Sequence, residues 1–89
     1  MVHEVHTSAS PEEVLDRAEA FFAERIPSQA AFPERRGPGH LLLRGQGGEE
    51  IALAATAQEG GTAVRASTLL FDHAVARFLT TLPVVAEVG

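Results

Sequence analysis

Two spacings of apolar side chains alternate along the chain. From Val2 to Thr7, and again between Ser28 and Phe71, they tend to recur at every second residue. From Pro11 to Arg25 and from Asp72 to Leu82 they recur at every third or fourth. The first spacing marks strands and the second marks helices. Each helix has start and stop signals. Ser10 stands at a cap position, Pro11 suits the first helical residue, and Glu13 completes a Ser-x-x-Glu capping box. Glu12 and Glu13 favour the positive end of the helix dipole, and Glu13 and Arg17 sit four apart, where opposite charges meet. The apolar stripe of this helix is Val14, Leu15, Ala18, Phe21, Phe22 and Ile26, and Pro27 ends it near Arg25. In the second helix Asp72 is the expected cap, Val75, Phe78, Leu79 and Leu82 form the stripe, and Pro83 is the stop.

Between the helices lie four strands. Ser28 to Arg36 contains Pro33, which lacks an N–H and confines the segment to a sheet edge or a bulge. A turn at Arg36-Gly37-Pro38-Gly39 leads to His40–Arg44. The glycine loop 45–48 leads to the central strand Glu49–Ala57, and Gln58-Glu59-Gly60-Gly61 leads to Thr62–Phe71. Matching apolar faces sets the register, because a one-residue slip would turn every side chain to the other face. It places Leu43 opposite Ile51, Leu41 opposite Leu53, and Arg44 opposite Glu50. It likewise places Ile51, Leu53 and Ala55 opposite Thr68, Ala66 and Val64. The inner face is then Leu41, Leu43, Ile51, Leu53, Ala55, Val64, Ala66 and Leu70, against which both helices bury their stripes. The outer face carries His40, Leu42, Arg44, Glu50, Ala52, Ala54, Arg65, Ser67, Leu69 and Phe71. The expected fold is α+β, in the order β-α-β4-α, an antiparallel sheet with two helices packed on one face. Residues 1–83 form one domain and 84–89 a C-terminal tail.

This order resembles the TBP-like, or helix-grip, superfamily, whose larger members are START-like lipid-transfer and polyketide-cyclase-like domains. The resemblance is carried by the opening Val5-His6-Thr7-Ser8-Ala9-Ser10-Pro11-Glu12-Glu13-Val14 and by the Gly-Gly-Thr62-Ala63-Val64 strand leading to the last helix. It implies an apolar ligand held between the C-terminal helix and the sheet, lined here by Phe22, Leu53, Val64 and Phe78. It implies no catalytic residue.

Composition narrows the functional classes. With 89 residues and a net charge of −5, the chain makes one small acidic domain. All seven basic residues are Arg. An acidic surface with scattered Arg repels phosphate backbones, so no nucleic acid partner is expected. No Cys is present, which removes disulfides, thiolate nucleophiles and Cys-ligated zinc. No apolar run approaches the ~20 residues that span a bilayer, and the first residues lack the basic and apolar regions of a signal peptide. A cytoplasmic protein without membrane contact is expected.

Specific chemistry is sparse. His3 and His6 point to opposite faces of a strand, and His40 and His73 have no partner at ligand spacing, so no metal site is expected. The glycine loop 45–48 is followed by a strand, not by the helix N-terminus that a phosphate cradle needs. No serine has an adjacent base or a Gly-x-Ser-x-Gly context, and adjacent carboxylates diverge. No cofactor and no catalytic residue are expected. An enzyme acting on a small anion would have to use Arg65 and His40. The outer face is unusually apolar for a sheet face left in water, through Leu42, Ala52, Ala54 and Leu69. With a core this thin, that face points to an interface, formed by Leu42, Ala52, Ala54, Arg65 and Leu69, and to a homodimer. The leading expectation is a non-catalytic binding domain that self-associates. The alternatives are a reduced helix-grip carrier of a small apolar ligand, and an enzyme.

Overall fold

A computed structural model describes residues 2–24 and 30–84. The elements in chain order are β1 (Val2–Thr7), α1 (Pro11–Ala23), β2 (Ala31–Gly37), β3 (His40–Gly45), β4 (Glu50–Gln58), β5 (Gly61–Thr68) and α2 (Asp72–Thr80). The strands form one antiparallel sheet in the order β1-β5-β4-β3-β2. α1 lies over β2, β3 and β4, and α2 over β5 and β1. The class is therefore α+β.

Both hairpin registers follow the matching of apolar faces. Leu43 pairs with Ile51, Leu41 with Leu53 and Arg44 with Glu50. Across the next turn Ile51, Leu53 and Ala55 pair with Thr68, Ala66 and Val64. Leu41, Leu43, Ile51, Leu53, Ala55, Val64 and Ala66 are all buried beneath the helices. Pro33 lies on an edge strand, and the β2–β3 register shifts between Pro33 and Arg35, so the missing N–H sits at a bulge.

α1 begins as expected: the Ser10 hydroxyl accepts from Glu13 N at 3.2 Å. The Glu13 carboxylate contacts Arg17 at 2.7 Å, the expected pair one turn along. Val14, Leu15, Ala18 and Phe22 are buried, and Phe21 packs partly buried beside them. Ile26, Pro27 and Ser28 lie outside the described residues, as do residues 85–89 of the expected tail. Pro83 and Val84 fold back on β1. The Pro83 carbonyl accepts from Ser8 N and from the Thr7 hydroxyl, and Val84 bridges Thr7 antiparallel.

The pairing of β1 with β5 joins the first strand to the last. It places Thr7 opposite Thr62, and both are buried. Between them they satisfy the backbone of the β1–α1 link. Ala9 N donates to the Thr7 hydroxyl at 3.2 Å, and the Thr62 hydroxyl donates to the Ala9 carbonyl at 2.6 Å. Buried backbone groups need such partners, and no helix or strand neighbour is available to Ala9.

The sequence reading needs correction where β5 meets α2. The alternation of apolar residues through Phe71 suggested a strand to that point, with Leu70 inward and Phe71 outward. β5 instead ends at Thr68, Leu70 is 72% exposed, and Phe71 is buried. The Thr68 hydroxyl accepts from Phe71 N at 3.2 Å, which turns the chain early. The Phe71 ring then enters the core beside Gly45, where a β-carbon would stand 3.0 Å from the ring. A large ring gains more from burial than a leucine, so the turn that buries Phe71 leaves Leu69 and Leu70 outside. The helix cap moves as well. Phe71, not Asp72, occupies the N-cap position and makes no side-chain cap bond. Asp72 accepts instead from His3 Nε2 at 3.0 Å, tying α2 to β1.

That pair has a pH signature. The hydrogen bond from His3 holds the Asp72 carboxyl below its ordinary value. A carboxyl whose folded-state pKa is depressed adds stability that is present above its unfolded pKa and is lost as pH falls through the folded one. Asp72→Asn is therefore expected to narrow the gap between urea midpoints measured at neutral pH and near pH 3, relative to the wild type. An unchanged gap would show that the pair is uncoupled from folding.

Candidate functional site

With both helices on one side of the sheet, its other side carries no covering element among the described residues. The pairing places Val2, Glu4 and His6 of β1 on this outer face, beside Ser67, Arg65 and Ala63 of β5. β4 contributes Glu50, Ala52, Ala54 and Thr56, β3 contributes His40, Leu42 and Arg44, and β2 contributes Phe32 and Arg35. Small side chains make the middle of the face, and larger ones stand around it.

The expected interface residues occupy this face. Ala52, Ala54, Arg65 and Leu69 are exposed, Leu69 to 87%, while Leu42 is half-buried. Sequence reasoning did not place Phe32 or Val2 there. They are 50% and 47% exposed and extend the apolar surface toward the two sheet edges. The signal for Phe32 was present in the parity of β2. For β1 nothing local could supply the face, because its partner is β5, some sixty residues away.

The four side chains expected to line a ligand cavity, Phe22, Leu53, Val64 and Phe78, are buried in the single apolar core. The rings of Phe22 and Phe78 stand 5.9 Å apart, and Phe21 lies 5.1 Å from the first and 5.5 Å from the second.

The charges of the outer face pair across strands. Arg44 binds Glu34 through two nitrogens at 3.0 and 2.7 Å, donates to the Gly48 carbonyl at 2.9 Å, and has Glu50 at 3.8 Å. The Arg44 hydrogen bond holds the Glu34 carboxyl below its ordinary value, and Glu34 raises Arg44 in turn. Arg65 lies 3.6 Å from Glu4, both about two-thirds exposed. Exposed pairs of this kind contribute well under ~1 kcal/mol each.

A shallow hollow of about 520 Å³ lies at the β1 side, bordered by Glu4, His6, Thr56, Gln58 and Arg65 with Ala54 and Ala63 beneath. The register puts Ala54 between His40 and Arg65 in one cross-strand row. The His40 ring, however, lies over Gly37: a β-carbon at Gly37 would stand 2.2 Å from His40 Cε1. His40 is thus turned toward β2, away from Arg65, and the two do not converge on a common substrate position. Among the described residues no group of three or more His, Asp or Glu could hold a metal ion, and no helix is long and apolar enough to cross a membrane. The glycine loop 45–48 is a hairpin turn, closed by Gly45 N on the Glu49 carbonyl and Gly48 N on the Gly45 carbonyl.

The chain matches no protein-family model, no curated protein and no solved structure. The strands bring three glutamates to the outer face, Glu4, Glu34 and Glu50, and three arginines, Arg35, Arg44 and Arg65. Formal charge on the face thus balances, although the chain as a whole carries −5. The surplus of carboxylates lies elsewhere, in large part on α1.

Proposed function

We propose that this is a non-catalytic binding domain whose working surface is the outer face of the sheet, and that the partner is a second copy of the same chain. The observation that carries this reading is a sheet face left uncovered by the described residues, small and apolar at its centre, and balanced in charge on an otherwise acidic molecule. Two acidic surfaces would repel one another. Two copies of a neutral face with interspersed signs do not, and opposite charges can meet across the interface. Area supports the same reading. Five strands spaced ~4.8 Å apart and up to ~30 Å long present on the order of 600 Å² in projection. That is comparable with the ~800 Å² per partner of a standard interface. The reading of an apolar-ligand carrier draws no support from Phe22 and Phe78, whose rings pack on each other.

Sedimentation equilibrium tests the proposal. The wild type is expected to be a dimer at micromolar concentration, and Ala54→Arg a monomer with an unchanged circular dichroism spectrum. Ala54 is exposed, so the added side chain disturbs nothing in the monomer. A wild type that sediments as a monomer at millimolar concentration would falsify the reading.

A further inference from the structure

Resting on that reading, we infer that the two copies meet about a two-fold axis that runs along the strands, between β3 and β4. The outer face can be laid out as cross-strand rows. One row runs Phe32, Arg44 and Glu50, and Leu69 follows as the next residue beyond the β4–β5 pairing. Leu69 borders Glu50 in two separate hollows, one shared with Val2, Ala52 and Ser67, which places it on the outer side. The next row contains Leu42 and Ala52, and the one after it His40 and Ala54.

Turning one copy about an axis between β3 and β4 lays β3 over β4 of the second copy and β2 over β5. Each row then meets itself reversed, and the reversal is complementary at the centre of the first two rows. Arg44 faces Glu50 of the second copy. Leu42 faces Ala52, so a large side chain meets a small one in the central row, while the His40 ring lies over Gly37 on the β2 side. At the rim Phe32 faces Leu69, Arg35 faces Ser67, and the His40 ring over Gly37 faces Arg65. Facing sheets lie ~10 Å apart, a gap that large-on-small pairs fill and large-on-large pairs overfill. An axis centred on β4 lacks this property, because it would set Ala52 against Ala52 and Glu50 against Glu50, leaving a void and a like-charge contact. The monomer leaves Glu50 available for the crossing pair: Arg44 is engaged closely by Glu34, and Glu50 stands farther off at 3.8 Å. The axis leaves β1 outside the overlap, so the hollow beside Glu4 and His6 keeps an open side.

The absence of cysteine allows a clean test. Phe32→Cys and Leu69→Cys are made separately; both positions are exposed, so the fold is retained. Within one chain they lie on strands three positions apart, roughly 14 Å. A short bis-maleimide is expected to link the two variants when they are mixed, and to link neither variant to itself. A second arm uses size: Ala52→Leu is expected to weaken dimerisation at least tenfold, and Leu42→Ala added to the same chain to restore it. A wild type that is monomeric overturns both the face and the axis. A dimer whose cysteines link 32 to 32 or 69 to 69, or not at all, overturns the axis alone. So does a dimer indifferent to Ala52→Leu.

Discussion

Phe22→Ala is expected to remove about 3–5 kcal/mol of folding stability, read as a lower urea midpoint at unchanged slope. Phe22 is fully buried on the inner side of α1, in edge contact with Phe21 and tilted against Phe78. Truncating it loses both the transfer energy of the ring and the contacts of its two neighbours, since a core packed at crystal density collapses only in part. A domain of 89 residues has a total stability of roughly 4–13 kcal/mol, so this loss is a large share of it. Leu69→Ala, by contrast, is expected to stay within about 0.5 kcal/mol in the monomer. The same measurement bears on the carrier reading. If Phe22→Ala costs less than about 1 kcal/mol, the space between helices and sheet is loosely filled, and a ligand there returns to consideration.

Thr7→Val is expected to cost roughly 2–3 kcal/mol, although the two side chains have nearly the same shape. The hydroxyl joins three segments: it donates to the Pro83 carbonyl at 2.6 Å and accepts from Ala9 N at 3.2 Å, while Thr7 itself pairs with Thr62. Valine would leave Ala9 N buried without a partner, and an unmade bond costs more than a made one contributes. The Pro83 carbonyl still accepts from Ser8 N, so the loss falls mainly on Ala9. Thr7→Ser keeps the hydroxyl and is expected to recover most of the loss. Destabilisation by Ser as large as that by Val, in chemical denaturation, would show that the hydroxyl's bond to Ala9 does not by itself set the cost.

Much of the fold was legible because local rules and the tertiary structure agree. Ser10, Pro11 and Glu13 mark the start of α1 by chemistry confined to one turn. The registers of β3, β4 and β5 follow from parity alone, because each turn is short and a slip would expose a whole apolar face. Pro33 could stand only at an edge or a bulge, and it stands at both. The candidate face was legible for the same reason: Leu42, Ala52, Ala54 and Arg65 share the parity opposite to the core.

What parity could not settle was competition among residues of equal pattern. Leu69, Leu70 and Phe71 continue the apolar run, and the run alone does not say which of them enters the core. That was decided by the space beside Gly45 and by the Thr68 hydroxyl, contacts made by residues distant in the chain or turned by the backbone. The place of β1 was likewise a tertiary decision. A strand of six residues carries too little pattern to choose its neighbour, and its pairing with β5 brings Glu4, His6 and Val2 to the outer face and His3 to Asp72. By itself, then, the sequence determined the order of the elements, the inward and outward residues of β3, β4 and β5 as far as Thr68, and the small side chains at the centre of β4. The tertiary structure decided which residues border that centre, because borders are made by strands that meet only once the chain has closed.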